Sequence, residues 1–198
     1  MASVRRASDE LYARRRELYA RAAAVFRRSG YRGTTLKALA GVCGLSIPAL
    51  YRYFPSKKAF ALFPLAALYP ELHASPPDPG DDAAANLNWW VEAAAMEMPN
   101  YTLALRLANE VGLSPEERRT IDANLSAHVA FLSAIARRAA PRLDERTAQE
   151  LAGTMISITV GPATTGLPAD PASLRRQLRT LLRAYGVALP GMVRSAAR

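Results

Sequence analysis

Between residues 30 and 56 the chain carries a dense series of signals that stop and restart helices, and only very short helices fit between them. Residues 9–29, just before, are free of Pro and Gly, and Leu11, Leu18, Ala22, Val25 and Phe26 recur at helical spacing with arginines on the other face. A long amphipathic helix is predicted there, closed by Gly30 as a left-handed residue. Gly33-Thr34-Thr35 then supplies a turn and a hydroxyl cap for a second apolar stripe of Leu36, Leu39, Ala40 and Cys43. Gly44-Leu45-Ser46 breaks this helix after about two turns. Ser46 can cap a third helix, with Pro48 tolerated in its first turn. Pro55-Ser56 ends that helix and opens a fourth. Two short helices joined by a Gly-containing turn form a helix-turn-helix pattern.

The remainder also reads as helices, apart from an ambiguous stretch at Met155–Val160. Pro64 lies inside the fourth helical segment, which is predicted to kink there and to continue to about Leu72. Ser-Pro-Pro-Asp-Pro-Gly at 75–80 is the clearest loop. Asp81 is placed as the cap of a helix running to Met98. Pro99-Asn100 is expected to reset the chain before a shorter helix ending at Gly112. Ser114-Pro115-Glu116-Glu117 combines a cap, a first-turn proline and a capping box. Further helices start at Asp144, ending near Gly161-Pro162, and at Asp170-Pro171. The expected fold is all-α, with about nine helices.

Charge divides the chain. Residues 1–58 hold thirteen basic and three acidic residues, a net of +10, out of +9 for the whole chain. Residues 59–198 are therefore almost neutral. Such a split points to a polyanion-binding segment joined to a neutral body. The boundary read from it separates a basic helix-turn-helix domain at 1–58 from a helical body at 59–198. Cys43 is the single cysteine, so neither an intrachain disulfide nor a cysteine metal cage can form. Cys43 itself reads as a buried structural residue. No uncharged apolar run approaches the roughly 20 residues that span a bilayer, and arginines interrupt the N-terminus where a signal peptide would be continuous. A cytoplasmic protein without membrane partners, metal or cofactor is expected.

The segment Leu18-x3-Ala22-x3-Phe26-x3-Gly30-Tyr31-x2-Thr34-Thr35-Leu36, continuing through GLSIPALYRYFPSKKAF at 44–60, resembles the DNA-binding domain of the tetracycline-repressor (TetR) family. The likeness covers about residues 10–60. It implies phosphate contacts from Thr34 and Thr35 at the start of the second helix, with Lys37 beside them. It implies base contacts from Ser46, Ile47, Pro48 and Ala49. Tyr51 and Tyr53 are then aromatic phosphate contacts, Lys57 anchors a further phosphate, and Arg52 reaches backbone or base. From the charge distribution, and not from the resemblance, Arg5 and Arg6 are expected as a basic arm before the first helix. Ile47 and Pro48 depart from the family pattern, because they offer no side-chain hydrogen bonds where basic or small residues are common. Base readout then leans on thymine methyl groups, Arg52 and DNA shape.

The resemblance also implies a homodimer on a palindromic operator, released when a small molecule enters the body. Two recognition helices must address major grooves about 34–36 Å apart. The last two helices are the expected interface, through Leu151, Met155, Ile158, Leu174, Leu178, Leu181, Leu182 and Tyr185. An apolar or aromatic inducer is expected among Trp89, Trp90, Met96, Tyr101, Asn109, His128, Phe131 and Met155. The chain has only His73 and His128, and lacks a phosphate loop, an HExxH and a nucleophile elbow, so an enzyme is not the expected reading. The contrasting alternative is a basic protein that coats DNA or an anionic surface without sequence preference or inducer.

Overall fold

Side-chain caps decide where the helices begin. The computed structural model describes residues 2–66, 82–165 and 170–190, and these form eight bounded α-helices, the start of a further helical segment at 63–66, and no strand. Helix α1 (Ala2–Gly33) is interrupted at Gly30, which takes φ 61 and ψ −174. Thr35 caps α2 (Leu36–Cys43) by accepting from the Ala38 N–H, and Gly44 closes it in the left-handed region. Ser46 caps the five-residue α3 (Ile47–Tyr51), and Ser56 caps α4 (Lys57–Ala61). The body contains α5 (Ala83–Val111), α6 (Pro115–Ala139), α7 (Glu145–Thr165) and α8 (Pro171–Ala184). The Ser114–Glu117 capping box at the head of α6 is complete, and Asp170 caps α8.

Four boundaries differ from the sequence expectation. Helix α5 runs unbroken through Pro99, where a reset was predicted. Near Pro64 the chain breaks at Leu62 and resumes helix at 63–66. Pro64 therefore falls in the first turn of the new segment, where its missing N–H costs nothing, and no kink arises inside one helix. Helix α7 continues past Gly161-Pro162 to Thr165, and Met155–Val160 is helical. Asp82, not Asp81, caps α5. The predicted end of the fourth helix at Leu72, His73, the 75–80 loop and Asp81 lie outside the described residues, as do the side chains of Arg5 and Arg6.

Apolar faces of these helices meet in three clusters. The first joins one face of α5 (Leu87, Trp90, Val91, Met98) to α6, α7 and α8. Arg175 and Arg179 lock α8 against α5 by donating to Glu92 at 2.6 and 3.1 Å. The second cluster is the core of the N-terminal helices. Six aromatic rings assemble there: Tyr12, Tyr19, Phe26, Phe54, Phe60 and Phe63. Phe60 lies at the centre, stacked on Phe54 with centroids 4.0 Å apart and meeting Phe26 edge-on at 5.9 Å. Leu103 and Leu107 of α5 enter this same cluster, so the cut drawn at residue 58 passes through a continuous core. The third, smaller cluster packs Leu62 and Leu65 against Tyr101, Ala104 and Ala108 of α5.

Because Phe60 is fully buried against the rings of Tyr19, Phe26 and Phe54 and in one cluster with Leu103 and Leu107 of α5, Phe60→Ala is expected to cost about 3–5 kcal/mol. A urea unfolding curve measures this, and a loss under 1 kcal/mol would show that the ring is not the keystone of the module.

Candidate nucleic-acid interface

The outward face of the short helices is assembled from what the core leaves over. Leu39, Ala40 and Cys43 of α2 and Leu50 of α3 point inward. Their helical neighbours must then point out. Thr35, Lys37, Ser46, Ile47, Pro48, Tyr51 and Arg52 are exposed, while Ala49, Tyr53 and Lys57 are half-buried. The Thr35 and Ser46 hydroxyls accept the Ala38 and Ala49 N–H groups at 3.1 and 3.3 Å. Each keeps its own O–H to donate outward. Ile47 and Tyr51 remain 37% and 44% exposed, an uncommon proportion of large apolar surface for a helix of five residues.

The geometry gives two of the expected phosphate contacts partners inside the module. Thr34 is only 2% exposed, and its hydroxyl donates to the Gly30 carbonyl at 2.6 Å. It holds the turn together from inside and does not face the outer surface. Lys57 gives two of its three N–H donors to the carbonyls of Tyr31 and Thr34, both at 2.9 Å, and its ammonium lies 4.2 Å from the Tyr31 ring centroid. Lys57 is thus a staple from α4 onto the link between α1 and α2. Arg15 acts similarly, donating to the Tyr53 carbonyl at 2.8 Å behind α3. Cys43 is buried, its Sγ 3.5 Å from the Leu18 carbonyl, and burial pushes its thiol above the usual range. It is held as an inert thiol.

Several side chains that the sequence did not single out join this module to the body. Arg16 pairs with Glu97, and Arg27 donates to the Asn100 side chain at 3.3 Å. Lys58 donates to Glu117 at 2.6 Å. The Tyr31 N–H donates to Glu110 at 2.7 Å. The capping box marked Glu117 in the sequence, but its second partner, 59 residues away, left no local signal.

In the body the expected ligand residues separate. Trp90, His128 and Met155 are buried in the first cluster, with Trp89 and Phe131 at its margin. The Trp90 indole N–H donates to His128 Nε2 at 2.9 Å, so that nitrogen carries no proton. Tyr101 belongs to the third cluster, Met96 is 61% exposed, and Asn109 is exposed. Helix rotation turns Met96 and Asn109 away from the aromatic group, and Tyr101 lies three turns further along α5. The interface residues divide as well. Leu151, Met155, Leu174, Leu178 and Leu182 are consumed by the chain's own core, leaving Ile158, Leu181 and Tyr185 half-buried at its edge. Among the described residues no group of three or more His, Cys, Asp or Glu could hold a metal ion, and no helix is long and apolar enough to cross a membrane.

The described residues form a helical bundle that leaves one face of a helix-turn-helix uncovered. Residues 18–62 match the family model described as bacterial regulatory proteins, tetR family. The fold is similar to a TetR-family transcriptional regulator from Thermus thermophilus, at 24% identity and TM-score 0.54, covering 84% of this chain and 97% of that one. It is also similar to a regulatory protein of the tetR family from Rhodococcus, at 21% identity and TM-score 0.57, covering 90% and 98%. A transcriptional regulator from Saccharomonospora viridis, solved in complex with choline, aligns at 21% identity and TM-score 0.57, over 85% and 95%. No curated protein matches the chain. Residues 18–62 thus match the tetR-family module, and the chain as a whole shares the fold of these regulators.

The two kinds of basic residue should separate on mutation. Arg52→Ala is expected to lower DNA affinity about tenfold, the scale of one lost charge-assisted contact, with an unchanged melting temperature. Lys57→Ala should lower stability as well, by about 2 kcal/mol. Equal melting curves for both variants would remove the staple role of Lys57. Acid supplies a second test. The Lys58 ammonium, and next the Ser114 N–H, hold the Glu117 carboxyl below the ordinary glutamate range. Its folded value is depressed, so its contribution to stability is complete above that range and is lost as pH falls through the folded value. Thermal melts across acidic pH should show a shallower slope for Glu117→Gln than for the native chain, and parallel slopes would contradict the linkage.

Proposed function

We propose that this protein is a homodimeric repressor that binds a palindromic operator and leaves it when a small molecule binds the body. The observation that carries DNA binding is the uncovered face of α2 and α3. Exposed Ile47, Pro48 and Tyr51 are interleaved there with Lys37, Ser46 and Arg52, in a segment of net charge +10. Phosphate contact is assigned to Thr35, Lys37, Tyr51, Tyr53 and Arg52. Ser46, Ile47, Pro48 and Ala49 face the bases, where Ile47 suits a thymine methyl group. The module at 1–58 binds DNA, and the near-neutral remainder senses ligand and dimerises. The protein acts in the cytoplasm and is not an enzyme.

The choline complex of one fold neighbour supports small-molecule binding as a property of this architecture. In this chain Trp89, Trp90, His128, Phe131 and Met155 favour an apolar or aromatic molecule. Since the leucine stripes of α7 and α8 are used internally, self-association is assigned to their outward faces. Thr154, Ser157 and Ile158 of α7, and Gln177, Thr180 and Leu181 of α8, are the exposed or half-buried residues there.

Competition binding at fixed salt separates this function from a coating role. A repressor should prefer a palindrome selected from the flanking DNA over random duplex by about 10³-fold or more. Equal affinity for both would favour the non-specific alternative.

A further inference from the structure

The link between α1 and α2 is clamped from two sides. Gly30 leaves the helix at φ 61, so the N–H that follows it, on Tyr31, begins a new helical turn without a partner one turn back. Glu110, near the end of α5, supplies one, with its Oε2 2.7 Å from the Tyr31 nitrogen. On the opposite side Lys57 holds the carbonyls of Tyr31 and Thr34. Thr35, the cap of α2, follows directly. Whatever fixes Tyr31 therefore fixes the entry of α2 and, through the tight Gly44 turn, the setting of α3.

We infer that Glu110 is a positioning residue for DNA binding: from the body, it caps the turn that orients the helix-turn-helix. Three observations support the assignment. Glu110 faces a module of net charge +10, yet it makes no salt bridge among the described residues and meets a backbone amide instead. A carboxylate drawn in by the general field would rest on an arginine. Gly30 also leaves the space for it, because a Cβ at that position would lie 2.9 Å from Glu110 Oε2. Finally, Glu110 shares α5 with the aromatic group of Trp89 and Trp90, so one continuous helix connects the proposed ligand site to the DNA-contacting turn.

The inference rests partly on the operator-binding reading, so its test has two arms. Glu110 is exposed and helical, so Glu110→Ala should fold. In that variant the Tyr31 amide should exchange with solvent about tenfold faster, and operator affinity should fall about tenfold. Glu110→Gln retains an oxygen acceptor and should stay within about threefold of the native chain in both measurements. The sign of the affinity change is decisive. If Glu110 acted only as a negative charge near DNA, both variants would bind DNA more tightly. Unchanged Tyr31 exchange in Glu110→Ala, or affinity equal to or above native, overturns the assignment. If the native chain shows no operator preference, the operator reading fails, and the exchange arm alone then decides whether Glu110 caps the turn.

Discussion

The structure depends on one helix belonging to three apolar clusters at once. Helix α5 gives Leu87, Trp90, Val91 and Met98 to the body, Leu103 and Leu107 to the DNA-binding module, and Tyr101, Ala104 and Ala108 to the small cluster between them. That arrangement explains why Pro99 does not end it. A proline inside a helix costs about 3 kcal/mol. Each large side chain buried on either side returns roughly 1.5–3 kcal/mol, and α5 buries several on both sides. A break would free one flank from its core, so the helix continues.

Polar contacts across the same boundary have another role. Glu97, Glu110 and Glu117 on the body face Arg16, the Tyr31 amide and Lys58 on the module. Exposed pairs of this kind contribute about 0–1 kcal/mol each, so the aromatic cluster around Phe60 holds the two parts together. The charged contacts fix the register in which they meet. They are also the contacts most easily exchanged, because water can replace them at small cost.

Local chemistry was readable from the sequence, and partnership at a distance was not. Thr35, Ser46, Ser56, Ser114 and Asp170 each cap the helix expected of them, because a cap is settled within four residues. The leucines of α7 and α8 show the opposite case. Their spacing identifies an apolar face but does not say which surface covers it, and the chain's own core claims Leu151, Leu174, Leu178 and Leu182. Thr34 and Lys57 were assigned outward by family likeness. The short link between α1 and α2 instead has backbone carbonyls to satisfy, and these two side chains are the nearest donors. Pro99 was misread because burial flanking a proline becomes visible only in three dimensions.

The proline retained within α5 has a mechanical consequence. It removes one rung of the hydrogen-bond ladder, so that point is where the rod bends most easily. From Pro99 to Glu110 the arm is about 16 Å long at 1.5 Å per residue. A swing of ten degrees about Pro99 would carry the far end by roughly 3 Å, about the full length of one hydrogen bond. A change in packing around Trp90 too small to disturb the bundle would then be large at the tip, as a short lever turns a slight rotation into a full step.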